Sequence, residues 1–335
     1  MRRIIPYTLP IAITSLFVLT AHSVFIWIAI FIILCISLMK KRIGKFDNSQ
    51  IISEYNFFHY DPSMSWLKTI SGLIFVIFNL WIFWFLFHYE MPIWSLTIFI
   101  YSCIIINSNF AISLAHDLMH SNRRIDRLFA NMLLIQNGFF YLKNDHLYIH
   151  HRYVATLHDP ATAMYGENLY KYLFRSIISR LKITFIPGAT FPIKDRSKII
   201  LSNYFYLLAC IFYLCIALYI SNTAFIYLIL NYVAVTFIYE SITYIQHYGL
   251  TRKTINSYTN EEIQLQHSWN CFYKISAYMH YMMTVHSIHH LKNDKLDKNS
   301  IFFGHEMPKP FAIMMVTAWF PSRWARLMDD QKAFK

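Results

Sequence analysis

Six apolar runs, near residues 5–21, 23–39, 69–88, 93–115, 204–220 and 223–245, alternate with polar stretches along the chain. A helix that crosses a bilayer needs about 20 mostly apolar residues, with a range of roughly 17 to 25. Each run therefore predicts a membrane span, the first two at the short limit. The runs pair across the tiny connections Ala21-His22-Ser23, Tyr89-Glu90-Met91-Pro92 and Ser221-Asn222. Links this short predict antiparallel neighbours, hence three helical hairpins. The expected fold is an all-α membrane protein with six transmembrane helices, a single integral membrane domain over residues 1–335.

Composition agrees with a bilayer protein: 56% of the 335 residues are hydrophobic, 18% aromatic and only 14% charged, which is not a usual soluble surface. With seven glycines and ten prolines, collagen-like, linker and disordered readings have no compositional support. The formal charge of +12 gains meaning from its placement. Neither the three connections nor the six runs contain Lys or Arg, so all basic residues fall on the opposite side, which the positive-inside rule makes cytoplasmic. That side holds Met1-Arg2-Arg3, the segment with Lys40, Lys41, Arg42 and Lys45, and the two long polar stretches 116–203 and 246–335. Both termini are expected there. A cleaved signal peptide is the competing reading of the N-terminus, but the second apolar run, ending in Lys40-Lys41-Arg42, reads as the return of a hairpin. Cys35, Cys103, Cys210 and Cys215 lie in apolar runs and Cys271 stands alone. This pattern gives no disulfide framework and fits a reducing face.

Sixteen histidines occur, and nine form four groups in the polar stretches or at span ends. His116 and His120 follow the fourth run with i, i+4 spacing, which on a helix puts both imidazoles on one face. His146, His150 and His151 repeat an i, i+4 pair, with His151 turned about 100° away and able to reach a second ion. His286, His289 and His290 repeat that arrangement, and His247 closes the sixth run. Imidazole suits Fe, Zn, Cu or Ni. Nine such ligands exceed what one ion binds, so two metals are the natural count. A structural zinc site uses four ligands, often with cysteine, and the mononuclear oxygenase pattern uses two histidines and a carboxylate; neither matches. Single H-x-x-x-H pairs arise by chance, but four groups on one side do not. The other seven histidines, His22, His59, His88, His158, His267, His280 and His305, are read as ordinary, and the aromatic runs as span packing and interfacial anchors.

These stretches carry a resemblance to the membrane alkane monooxygenase family, within the histidine-rich superfamily of integral membrane desaturases and hydroxylases. His116-Asp117-Leu118-Met119-His120 resembles the family's H-E-x-x-H box, and Asp145 to His151 resembles E-H-x-x-G-H-H, with Val154-Ala155-Thr156 and Asp159-Pro160-Ala161 continuing it. Tyr244 to Leu250 looks like N-Y-x-E-H-Y-G, His267-Ser268-Trp269-Asn270 like a following tetrad, and His286 to His290 like the end of L-Q-R-H-S-x-H-H. Asp117 and Asp145 replace glutamates, Ile149 a glycine, Gln246 a glutamate, and Thr284-Val285 the usual Gln-Arg. Every histidine of the set is present.

The resemblance implies two iron ions held by those nine histidines, using O2 and two electrons to hydroxylate an alkyl carbon, with Asp117, Asp145, Asp159 and Gln246 orienting imidazoles from behind. It also implies an apolar channel for a bilayer-dissolved substrate. Electrons would come from a rubredoxin or ferredoxin with an NAD(P)H-dependent reductase, docking on the basic face, since no four-cysteine iron site or nucleotide fingerprint occurs in the chain. The expected location is the cell's inner membrane, with the metal site cytoplasmic. The alternative is desaturation, hydroxylation or decarboxylation of a fatty acid or acyl lipid at the same centre. A metal transporter would spread ionisable residues through the membrane depth, whereas these histidines gather at one end. A nucleic-acid module is not recognisable.

Overall fold

The computed structural model describes residues 3–186, 196–256, 259–291 and 304–331. Met1, Arg2 and parts of both long polar stretches lie outside them. All six apolar runs are helical. After a 3₁₀ turn, Ile5–Thr8, come α1 (Leu9–Thr20) and α2 (Ile28–Ile43). Helix α3 (Asn48–Tyr60) leads into α4 (Pro62–His88), and α5 spans Ile93–Leu118. Helices α6 (Arg124–Gln136) and α7 (Leu169–Phe185) precede the last long pair, α8 (Arg196–Ile220) and α9 (Asn222–His247). Four helices, α4, α5, α8 and α9, are long and apolar enough to cross a membrane, while Ile5–Thr20 is shorter.

Helix α4 outruns its apolar run because a polar cap, rather than hydropathy, sets its start. Helix α4 begins at Pro62, ahead of the run expected from residue 69, since Asp61 accepts a hydrogen bond from Ser63 N (2.9 Å) and proline suits the first helical position. Asp47 and Gln50 form a capping box on α3. Asn168 caps α7 through Lys171 N, and Ser221 caps α9 through Ala224 N.

Helix α4 shows how the bundle sits. Ile70, Leu73, Ile77, Leu80, Trp84 and Phe87 are exposed at alternating steps of three and four, an apolar stripe on the outside, where lipid replaces water as solvent. The opposite face is packed. A Cβ on Gly72 would come within 3.0 Å of Leu118 and 3.1 Å of Phe129, so α4 lies against α5 and α6 at a distance only glycine accommodates without adjustment.

Inside the bundle, buried asparagines link helices that have no water to satisfy them. Asn107 of α5 exchanges hydrogen bonds with Asn79 of α4 (3.0 and 3.2 Å) and donates to Asn231 of α9 (3.2 Å), which donates to Asn137 (2.9 Å). Asn107 opens a π-helical turn, Asn107–Ala111, directly upstream of His116. Such turns insert one extra residue and rephase the helix beyond them.

The polar side is built from shorter pieces: α10 (Lys274–Met279), α11 (His286–His289), α12 (Phe311–Ala318) and α13 (Pro321–Met328). Two small sheets accompany them. Strands β1 (Thr254–Asn256) and β2 (Thr259–Asn260) pair antiparallel, and β3 (Trp269–Asn270) and β4 (His305–Glu306) pair parallel. A cluster including Tyr244, Tyr248, Trp269, Trp324 and Met307 packs this layer onto the end of α9.

Candidate metal centre

All nine histidines converge where the polar layer meets the ends of α5 and α9. His116 comes from the last turn of α5 and His120 from just past it; His247 ends α9; His286, His289 and His290 lie on and just after α11; and His146, His150 and His151 occupy a helical turn between α6 and α7. They divide into two sets. His116, His120, His146 and His289 have ligand atoms within 4.8 Å of one another, as do His150, His247, His286 and His290. His151 completes the first set, its Nε2 lying 2.9 Å from His146 Nε2 and 3.1 Å from His289 Nε2.

The partition follows local helix geometry. His116 with His120, and His286 with His290, are i, i+4 pairs that share a set as the spacing predicts. The middle group does not. Its turn, His146–His150, is π-helical, and i→i+5 geometry brings His146 and His151 onto one face. The expected His146–His150 pair is thus split: His151 stays with His146, and His150 goes to the second set.

The short contacts run between Nε2 atoms. His146 Nε2 lies 3.0 Å from His120, 3.4 Å from His289 and 2.9 Å from His151; His286 Nε2 lies 2.9 Å from both His247 and His290. One ring nitrogen carries at most one proton, so three such contacts cannot all be hydrogen bonds. Two nitrogens about 2.1 Å from a shared cation and at right angles stand about 3 Å apart, and the observed spacings fit that geometry. Burial favours neutral rings: it pushes His146, His151, His286, His289 and His290 well below 6.5, neighbouring imidazoles adding to the effect. Neutral imidazole with a free lone pair is the ligating form. No Cys, Asp or Glu joins either set among the described residues.

Of the four residues expected behind the imidazoles, Asp159 is there. Its Oδ2 lies 2.9 Å from His150 Nδ1 and accepts from Thr162 Oγ1 (2.7 Å), while Oδ1 accepts from Ala161 N. This bond leaves His150 Nε2 as the lone pair. Burial alone would raise the Asp159 pKa, yet His150 and the hydroxyl outweigh it and hold the carboxyl low.

The other three face elsewhere. Asp117 turns toward Lys68 Nζ (3.0 Å) and His59 Nδ1 (3.5 Å), because α4 and α3 pack on that side of α5. Asp145 pairs with the buried Arg180 of α7 at 2.6 Å, and burial raises its pKa to about 6. Gln246 donates to Met283 O (3.0 Å), holding the segment before α11 rather than a ring.

A small enclosed cavity of about 10 Å³, room for roughly one water, lies between the two sets and the bundle. His116, His146, His150 and His286 line one side, and Ile242, Met283 and Ala161 add apolar wall. Arg180, Asp145 and Tyr239 close it. On the polar side an open cleft of about 400 Å³ reaches His120 and His289 past Tyr55, His59, Lys68 and Asp117. Arg180, Glu240 and Lys68 were not singled out from sequence. Glu240 carried a signal, an acid inside the sixth apolar run, where ionisable residues mark function by default.

Comparison with known proteins agrees with this geometry. The fatty acid desaturase family model matches residues 91–294, more than half of the chain. The alkane 1-monooxygenase of Acinetobacter baylyi is 28% identical over 231 residues, covering 67% of this chain and 56% of the relative. Alkane 1-monooxygenase 1 of Alcanivorax borkumensis is 27% identical over 230 residues, 67% of this chain and 57% of the relative. The hydroxylase component of a Pseudomonas putida xylene/toluene monooxygenase is 27% identical over 181 residues, covering 53% and 48%. The aligned region thus spans about half the length of these relatives. The matched region contains all nine imidazoles, and the chain belongs to the fatty acid desaturase family, where it is similar to the alkane 1-monooxygenases.

Proposed function

We propose that this protein is a membrane monooxygenase that holds two iron ions in its two histidine sets and hydroxylates the terminal carbon of an alkane or similar alkyl chain. The observation that carries the reading is the convergence of nine imidazoles into two adjacent all-nitrogen sets, beside a cavity with an apolar wall. Similarity to alkane 1-monooxygenases supports the substrate class. All six apolar helices span the inner membrane in this reading, the short α1 and α2 included, with both termini and the metal centre cytoplasmic.

Bound iron would supply the O2 and radical chemistry. The chain's own residues do the rest. His116, His120, His146, His151 and His289 would hold one ion, and His150, His247, His286 and His290 the other. Asp159 fixes the His150 ring and its tautomer. Ile242, Met283 and Ala161 give the small cavity beside the ions an apolar wall, which the tip of an alkyl chain would approach and which disfavours water there. The cation at this cavity, Arg180, is faced by two carboxylates, Asp145 at 2.6 Å and Glu240 at 3.5 Å. A substrate carboxylate would meet excess negative charge there, which supports a neutral alkyl end over an acid group beside the metals. Electrons would arrive from an external rubredoxin or ferredoxin and its NAD(P)H-dependent reductase.

The test is iron content of the purified protein, with oxidation assayed in membranes given a ferredoxin or rubredoxin system, O2, and either an alkane or a fatty acid. Two irons per chain with 1-alkanol formed is the expected result. Iron with fatty-acid products alone would replace alkane hydroxylation by acyl chemistry, and absence of iron under anaerobic handling would overturn both.

A further inference from the structure

The second histidine set is assembled from the end of one long helix and the start of a very short one, and neither end caps itself. His247 is the last residue of α9, and its C-cap, Tyr248, leaves the helix with extended geometry (φ −60°, ψ 120°). His286 is the first residue of α11, which is four residues long, and its N-cap, Val285, offers no side-chain hydrogen bond. Tyr281 and Met282, just upstream, hold left-handed φ values of 49° and 60°, which L-residues adopt at a cost. One hydrogen bond, Gln246 Nε2 to Met283 O (3.0 Å), already joins the two segments, but neither helix end supplies a cap of its own to hold the 2.9 Å separation of the His247 and His286 Nε2 atoms.

Two consecutive residues of β3 do so from outside. The Trp269 indole Nε1 donates to the Tyr248 carbonyl (2.9 Å), satisfying the acceptor immediately after His247. The Asn270 Oδ1 accepts from Ser287 N (2.9 Å), the amide immediately after His286, and so caps α11 as an N-cap side chain would, but from a distant segment. Cys271 extends the seam, its N–H donating to Thr284 O (2.8 Å) and its carbonyl accepting from Thr284 Oγ1 (3.1 Å). Both side chains are buried, Trp269 at 2% exposure and Asn270 at 0%.

We infer that Trp269 and Asn270 are the positioning residues of the second metal set: a two-residue clamp that fixes the distance between His247 and His286, and with it that set's ability to hold its ion. Gly304 belongs to the same device. It sits at φ 87°, and a Cβ there would come within 2.2 Å of Leu265 O and 2.8 Å of Asn270 Nδ2, so a side chain would push Asn270 off its amide. The first set shares one ligand with this helix, His289, while its other four come from elsewhere, so the clamp acts chiefly on the second ion, which takes His247 and His286 from the two bracketed ends. The metal part of this inference rests on the two-iron reading above.

The experiment compares the full-length protein with Asn270→Ala and with Trp269→Phe, which keeps the ring and removes only the N–H. Iron affinity and stoichiometry are measured together with the Mössbauer signal of the bound iron, and amide exchange is followed in segments 244–250 and 284–291. Asn270→Ala is expected to weaken one iron about 10- to 100-fold, altering one component of the spectrum far more than the other. Trp269→Phe changes the same component by a smaller factor, and it carries the test should Asn270→Ala not fold. Exchange quickens at 284–291 in the first variant and at 244–250 in the second. Two irons bound with wild-type affinity and spectrum in both variants would overturn the clamp, as would equal loss of both irons from folded protein. A wild type without two irons would instead overturn the two-iron reading, and the exchange data would then decide the clamp alone: unchanged protection sinks it.

Discussion

The two histidine sets use the same ligand chemistry in opposite surroundings. The first has five imidazoles and borders the open cleft; His120 is exposed along it, and His151 and His289 are half-buried. The second has four imidazoles, all buried, tied from behind by Asp159 and bracketed by Trp269 and Asn270. An exposed set can exchange its ion and meet protons or a partner from the aqueous side. A sealed set must be held by its scaffold, because solvent supplies no replacement contact when one is lost. The molecule spends its network of precise hydrogen bonds on the sealed side.

The harshest way to break the comparison is to remove a ligand from each side. His289→Ala and His150→Ala should both abolish substrate oxidation and release iron; full activity with normal iron in both would sink the ligand sets. Asp159→Ala comes next, with the second ion's affinity expected to fall about 10- to 100-fold while the first stays bound, as read by titration against a metal indicator. Chelator challenge sharpens the contrast: iron should leave in two phases, the faster from the set at the cleft, and Asp159→Ala should speed only the slower one. A single phase would mean the two surroundings do not govern access. The smallest effect is expected at Asp117→Asn, which takes the charged partner from Lys68 but touches no ligand ring. Thermal stability should drop by about 1–3 kcal/mol with both irons retained, and loss of iron there would return Asp117 to a ligand-orienting role.

Much of this was legible in the chain. The apolar runs mark where every long helix lies and nearly where each ends, though two of them begin seven and eight residues earlier, at Pro62 and Arg196, and the nine histidines stand out by spacing alone. The misreadings share a cause. Asp117, Asp145 and Gln246 adjoin histidines in sequence, but on a helix adjacent residues point about 100° apart, so neighbours in sequence face different partners: Lys68, Arg180 and the Met283 carbonyl. Asp159, nine residues from His150, does reach the ring, because a loop folds back on it.

By itself the sequence determined what depends on short range and on composition: hydropathy long enough for helices, tight links that pair them, and imidazoles in number and spacing fit to hold metal. Tertiary structure decided what depends on helix phase and on distant segments. A π-helical turn of five residues moved His150 from one set to the other, which no pattern of i, i+4 spacing encodes. Trp269 and Asn270 became caps for helices whose ends lie 21 and 17 residues away. Side chains that satisfy another segment's backbone leave no periodic mark in sequence, and become visible only once the fold brings donor and acceptor together.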